Sequence, residues 1–109
     1  MKSKDIFINE LYADKALIAD SFLTRLRGML FRKALPPALL ITPTNSVHGI
    51  GMLKSLDVAF LDADSKVIKT ATLRPFGLVG CRSAKSALEA PEGSFSMWNL
   101  TVGSQVELK

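Results

Sequence analysis

The chain has 109 residues, of which 48% are hydrophobic and 22% charged, with a formal net charge of +4 and a pI of about 9.5. This length and composition predict one globular domain, residues 1–109, and exclude a disordered chain. A single cysteine, Cys81, excludes an internal disulfide bond and a cluster of thiolate metal ligands.

Targeting signals and charge give two expectations about location and partners. No apolar run of signal-peptide length follows Met1, and no stretch reaches the ~20 apolar residues of a transmembrane helix, so we expect a cytoplasmic protein. Lysine and arginine residues are spread along the chain with acidic residues between them, which favours a mixed solvated surface. We therefore do not expect a nucleic-acid partner.

The first third of the chain predicts a hairpin and then a helix. Strand-forming residues at 6–11 and 15–19 flank Ala13-Asp14, which predicts a turn there. Asp20-Ser21 can cap a helix. Apolar residues then recur with a 3.6-residue period, which predicts one main helix over residues 21–31: Phe22, Leu23, Leu26, Met29 and Leu30. Pro36-Pro37 ends any continuation of it.

The remaining two thirds predict short strands. Residues 38–42 form an apolar strand that Pro43 closes. Residues 56–61 and 66–73 form the clearest strand pair, joined at 62–65 by Asp and Ser residues that hydrogen-bond their own backbone in turns. Weaker patterns predict a loop at 78–83, either strand or helix at 86–90, a turn or helix start at 91–94, and a closing strand at 105–108.

About seven strands and one main helix predict a β-rich α+β fold. We expect a small antiparallel or mixed, barrel-like sheet with the helix packed on it, because closure removes exposed strand edges. The apolar patterns place five residues in the core: Leu26, Met29, Val58, Phe60 and Leu88.

Four motifs resemble a known family when taken together and in order. They are Arg-Leu-Arg-Gly-Met-Leu-Phe-Arg at 25–32, Ser-Val-His-Gly-Ile-Gly-Met at 46–52 with Leu-Asp-Val-Ala-Phe-Leu-Asp at 56–62, Ala-Leu-Glu-Ala-Pro-Glu-Gly at 87–93, and Val-Gly-Ser-Gln-Val at 102–106. The family is domain of unknown function 192, which groups small uncharacterised bacterial and archaeal proteins. The resemblance covers about residues 13–108 and implies a compact, mostly β domain without supplying a reaction. Three positions depart from the family pattern: Gly49 replaces a Thr, Ser55 a common Pro, and Ser104 an Asp.

His48 is the first candidate for chemistry, because imidazole alone has an unperturbed pKa near neutrality. It could serve as a general base, a metal ligand or a proton sensor. The structural alternative is a strand residue whose ring hydrogen-bonds a backbone carbonyl. Gly49 and Gly51 would leave room for a ligand beside it.

Asp57 interrupts an apolar strand, so its carboxylate needs hydrogen-bond donors. Arg25, Arg32, Lys54 or a set of backbone amides could supply them. Asp57 then either ties the helix to the sheet or takes part in catalysis, and Glu89 presents the same choice.

A soft metal site is a further alternative. His48, Met52 and Cys81 together would suit copper, but methionine and cysteine more often fill cores. We therefore expect no metal and no cofactor.

Three functions remain open at this stage. The leading one is a non-enzymatic binding or accessory domain, for an unknown small ligand or protein partner, with a polar pocket around His48, Met52, Lys54 and Asp57. The second is a small enzyme that uses His48 with Asp57 or Glu89 in acid–base catalysis. The third is a weak binder of nucleic acid or anionic surfaces through net positive charge. The candidate ligand-binding residues are Arg25, Arg32, His48, Met52, Lys54, Asp57 and Glu89, and no catalytic residue is assigned.

Overall fold

The computed structural model describes residues 2–21 and 36–109. This part of the chain forms nine strands and one short helix: β1 (Lys2–Ile8), β2 (Leu11–Ala19), β3 (Leu39–Ile41), β4 (Ser46–His48), β5 (Leu56–Leu61), β6 (Val67–Leu73), β7 (Leu78–Gly80), β8 (Ser86–Pro91), α1 (Ser94–Trp98) and β9 (Val106–Leu108). The helix predicted over 21–31 lies outside the described residues except for Ser21, and so do Arg25, Arg32, Leu26 and Met29.

Seven strands form one curled sheet of half-barrel shape, in the order β6-β5-β8-β3-β2-β1-β9. Among the described strands, β2 and β3 alone pair in parallel, so the sheet is mixed. The two edge strands of the sheet, β6 and β9, approach each other at one end. There Lys66 forms a β-bridge with Gln105, and the amide of Val67 donates to the carbonyl of Ser104 at 2.9 Å. The prediction of a mostly β, barrel-like sheet is confirmed. The helix of the described part, α1, is a short one. No helix in the described ranges has the length and apolar character that a bilayer crossing requires.

Side chains alternate between the two faces of this sheet and build a separate core on each. All seven strands contribute to the core inside the curl, which α1 helps to close through Phe95. We call it the inner core. The outer core lies on the other face of the central strands and includes Val58 and Phe60. The predicted core positions Val58, Phe60 and Leu88 are fully buried.

The first hairpin turns four residues earlier than the sequence predicts. Ala13 and Asp14 lie within β2, and the turn is Asn9-Glu10, between the paired residues Ile8 and Leu11. Both turn residues have positive φ, 49° and 74°. Two-residue hairpin turns of this kind match the twist of the strands, and asparagine tolerates them well. Glutamate is not typical of such turns, so the sequence pattern pointed to Ala13-Asp14 instead of Asn9-Glu10.

The secondary structure of two further segments is determined by the strands with which they pair. Residues 86–90, compatible with strand or helix, belong to the buried strand β8 between β5 and β3. The predicted loop at 78–83 was wrong in its first half, because β7 pairs there with β4 in a separate two-stranded sheet. The strand pair at 56–73 is confirmed, with its turn at 62–65.

Candidate binding surface

The two-stranded sheet β4–β7 covers part of the outer core and presents its other face outward. Val47 and Val79 are paired, and both pack on the outer core. The next pair, His48 and Leu78, therefore lies on the opposite face, and Leu78 is largely exposed there. This outward face continues into the two loops that flank the sheet.

The loop after β4 is a tight turn with an apolar tip. The amide of Met52 donates to the carbonyl of Gly49 at 3.1 Å, and Gly51 has φ 81°, which glycine adopts without strain. The Met52 side chain is buried in the outer core and anchors the turn. Ile50 and Leu53, on either side of this anchor, point into solvent.

The loop before β7 is a second turn, closed by the amide of Gly77 donating to the carbonyl of Arg74 at 2.8 Å. Its third residue, Phe76, has φ 61°, in the left-handed region. Turns of this form normally place glycine or asparagine at that position. A bulky residue there is strained, so the chain holds an exposed aromatic ring where a smaller residue would fit with less strain.

Backbone hydrogen bonds join the two turns into one unit. Phe76 donates to the carbonyl of Gly49, and Gly49 donates to that of Gly77, both at 2.8 Å. A Cβ on Gly49 would collide with the carbonyl oxygen of Arg74 and lie 3.2 Å from the amide nitrogen of Phe76. The expectation that Gly49 leaves room for a ligand was therefore wrong, because the neighbouring turn fills that space.

Four large apolar side chains stand exposed on this unit, and we call them the loop surface. Their exposed fractions run from 60% to 94%: Ile50 60%, Leu53 94%, Phe76 77% and Leu78 75%. Single exposed apolar residues are common on proteins, but a group of them on adjoining turns is typical of an interaction site.

His48 borders the loop surface through its pairing with Leu78. It occupies a strand position, as its structural interpretation expected. Its Nδ1 atom is shielded from solvent and finds no hydrogen-bond partner among the described residues, so no carbonyl in that part of the chain accepts the expected bond from this atom. A buried polar atom without a partner costs about 1–3 kcal/mol.

Asp57 holds the start of α1. The amides of Gly93 and Phe95 both donate to its Oδ2 atom at 3.0 Å. Backbone amides were one of the alternatives predicted for this carboxylate. Asp57 also lines an open cleft of about 310 Å³ between β6 and α1, together with Thr70, Ala71, Thr72, Phe95 and Leu100.

Asp57 and Glu89 project from opposite faces of the curled sheet. Asp57 is paired with Ala90 of the inner core, whereas the buried Glu89 is paired with Val58 of the outer core. Residues directly opposite each other in an antiparallel pair share a face. The two carboxylates are therefore separated by the sheet.

The other candidates also occupy separate places. Lys54 is exposed beside Leu53, and Cys81 packs against the same outer core as Met52, whereas His48 faces the other side of β4. Within the described residues, no three His, Cys, Asp or Glu side chains gather as metal ligands. Of the residues predicted for one pocket, Met52 packs in the outer core, Asp57 accepts from amides at the start of α1, and His48 is paired with Leu78.

The four residues of the loop surface are not among the site residues predicted from the sequence. The usable signal was Arg74-Pro75-Phe76-Gly77, where proline at the second position of a turn puts phenylalanine at the third. A second signal was the segment Ile50-Gly51-Met52-Leu53, in which two apolar residues surround a glycine and a methionine. If Met52 points into the core at such a turn, Ile50 and Leu53 are left exposed. The apolar side chains of both patterns, Ile50, Leu53 and Phe76, carry no titratable group, so they were not among the candidates for chemistry.

The fold and site define a small, mostly β domain built on a curled half-barrel sheet, with an exposed apolar unit formed around two of its turns. The chain belongs to the DUF192 family, described as "Uncharacterized ACR", whose model matches residues 8–108. Among its relatives are UPF0127 proteins of Pyrococcus abyssi, 35% identical over 94% of this chain and 96% of the relative, and of Pyrococcus furiosus, 33% identical over 82% of each. These relatives are archaeal and so do not support a bacterial source.

Two solved structures share the fold. A candidate transcription regulator from Sinorhizobium meliloti superposes with a TM-score of 0.85 at 15% identity, over 98% of this chain and 94% of that one. A protein of unknown function from Novosphingobium aromaticivorans gives a TM-score of 0.78 at 16% identity, over 94% and 83%. At these identities the similarity concerns the fold alone.

Proposed function

We propose that this chain is a non-catalytic binding domain and that the loop surface is its binding site. The observation that carries the proposal is the joint exposure of four large apolar side chains in or directly after two turns that hydrogen-bond to each other. Backbone hydrogen bonds hold the two turns in place. Binding through these side chains therefore loses little loop entropy.

Local energetics support a role for these side chains beyond folding. Holding a residue such as Phe76 in the left-handed region costs roughly 1–2 kcal/mol. The Nδ1 atom of His48, which has no partner within residues 2–21 and 36–109, adds a second cost in the same small unit. Strained and unsatisfied groups gather at functional sites more often than elsewhere. Asparagine or glycine at position 76 would give a more stable fold, because both adopt positive φ with less strain.

The enzyme alternative lacks a convergent acid–base pair among the described residues. His48 lies on the outward face of β4, Asp57 caps α1 on the inner side of the sheet, and Glu89 faces the outer core. A general base must come within hydrogen-bond reach of the group it serves. These three side chains offer no common point for a substrate.

Nucleic-acid binding has little support from the aromatic residues. Single strands are held by several exposed aromatic rings that stack on successive bases. Within the described ranges, the exposed aromatic side chains are Tyr12 and Phe76. Tyr12 lies in β2, and Phe76 lies in the turn before β7. The name of the Sinorhizobium meliloti protein as a candidate transcription regulator comes with a similarity in fold only.

A dye titration tests the proposal. Anilinonaphthalenesulfonate (ANS) binds exposed apolar patches and fluoresces when bound. We expect the folded protein to bind ANS, and we expect Leu53→Ser and Phe76→Asn each to weaken binding about fivefold, because each removes about 1 kcal/mol of apolar contact.

The matched control is Met97→Ser on α1. Met97 is 76% exposed, nearly the same as Phe76, but stands on α1 and not on either of the two turns. This variant should bind the dye like the parent protein. An equal loss of binding in Met97→Ser, or no loss in the two loop variants, would contradict the proposal.

A further inference from the structure

The segments that build the loop surface carry positive charge only. Residues 43–56 and 65–88 contain no Asp or Glu, although the whole chain has ten. They contain six basic residues: Lys54, Lys66, Lys69, Arg74, Arg82 and Lys85. Lysine and arginine are therefore the charged residues of these two sequence segments.

Two of these basic residues directly flank the exposed apolar tips. Lys54 follows Leu53, and Arg74 begins the turn that carries Phe76; both are exposed. Lys69 has a structural task, since its Nζ atom donates to the carbonyl of Gly80 at 2.7 Å and ties β6 to β7. The apolar tips and the two flanking cations thus form one surface of mixed character.

Apolar side chains flanked by lysine and arginine suit the interface of an anionic bilayer. Apolar tips enter the boundary between headgroups and acyl chains, while basic residues at the surface each add about 1 kcal/mol of attraction. We infer that the loop surface docks on anionic lipid, with Leu53 and Phe76 inserted and Lys54 and Arg74 at the headgroups. This inference rests on the proposed function.

The shape of the surface favours lipid over a protein partner. A stable protein interface buries about 800 Å² on each side, with a well-packed apolar centre. The four side chains of the loop surface are 60% to 94% exposed and so form no packed centre of their own. Leu53 at 94% exposure touches little of its own protein. A fluid bilayer accommodates a protruding tip without a complementary pocket.

Co-sedimentation with lipid vesicles tests the inference. The protein is mixed with phosphatidylcholine vesicles, with or without phosphatidylglycerol, over a range of salt concentrations. We expect binding only with phosphatidylglycerol, and weaker binding as salt rises. Leu53→Ser and Phe76→Asn should each reduce it about tenfold, and Lys54→Gln and Arg74→Gln about fivefold each.

Charge and apolar controls separate oriented docking from general attraction. Lys2→Gln and Lys4→Gln remove the same charge from β1, and Met97→Ser removes an equally exposed apolar side chain. All three variants should sediment like the parent protein. Equal losses in these controls would overturn the inference, since they would show unoriented adsorption of a basic protein.

The dye and vesicle experiments fail in distinguishable ways. Dye binding that depends on Leu53 and Phe76, without sedimentation by anionic vesicles, overturns the lipid inference and leaves the proposed function standing with a protein as the partner. Dye binding that ignores both residues overturns the proposed function. Both loop variants should stay folded, because Leu53 is almost fully exposed and asparagine tolerates the backbone of Phe76.

Discussion

Removing the Asp57 carboxylate should destabilise the fold without affecting the loop surface. Its Oδ2 atom accepts two hydrogen bonds, from the amides of Gly93 and Phe95 at the start of α1. Hydrogen bonds to a charged group contribute about 1.5–3 kcal/mol each. The carboxylate is only partly buried, so the lower figure applies, and Asp57→Ala should lower the free energy of unfolding by about 3 kcal/mol.

The asparagine variant separates hydrogen bonding from charge. An amide oxygen in place of Oδ2 can still accept from both backbone amides, so Asp57→Asn should cost only about 1 kcal/mol. Thr72→Ala is the control, because Thr72 is the exposed residue paired with Asp57; it should cost less than about 0.5 kcal/mol. Guanidinium denaturation measures all three. A loss below about 1 kcal/mol for Asp57→Ala would refute the capping role and reopen a ligand role for this carboxylate.

Three further predictions concern stability and are checked by denaturant midpoints. Phe76→Asn should leave stability unchanged or raise it by up to ~1 kcal/mol, because it relieves left-handed strain; a clear loss would show that the ring packs against the protein. Gly49→Ala should cost about 1–3 kcal/mol, because its Cβ meets the carbonyl of Arg74. Gly80→Ala, with its nearest neighbour at 3.3 Å, should cost less, and the reverse order would mean that the two turns are not tied as described. Phe60→Ala should cost about 3–5 kcal/mol, since its ring is fully buried in the outer core; a loss under 1 kcal/mol would place it outside the core.

The parts of the fold that were predictable rest on local signals. Asp62 and Ser65 lie in the turn between two apolar strands, and the Asp62 side chain accepts from the amides of Asp64 and Lys66. This hairpin was recognised because side-chain oxygens that bond nearby amides define turns. The same local logic identified Val58 and Phe60 as core residues.

The parts that failed depend on partners distant in the sequence. Strand β7 exists because β4 lies beside it, and three residues with one glycine give no strand signal alone. The separation of Asp57 from Glu89 depends on the register of β5 against β8, which sequence pattern does not fix. The loop surface unites residues near position 50 with residues near position 76. The predicted roles of Arg25 and Arg32 fall outside the described residues and stay predictions.

Backbone NMR mapping with ANS tests the binding site most directly. When ANS is added to ¹⁵N-labelled protein, we expect the amide signals of residues 48–54 and 74–78 to shift. We expect little change at the cleft residues Asp57, Thr70 and Thr72 or along α1. At a dye concentration below saturation, residues 48–54 and 74–78 should shift less in the Phe76→Asn variant, because its binding is about fivefold weaker. Shifts centred on the cleft or on α1, with residues 48–54 and 74–78 unmoved, would contradict the assignment of the loop surface as the binding site.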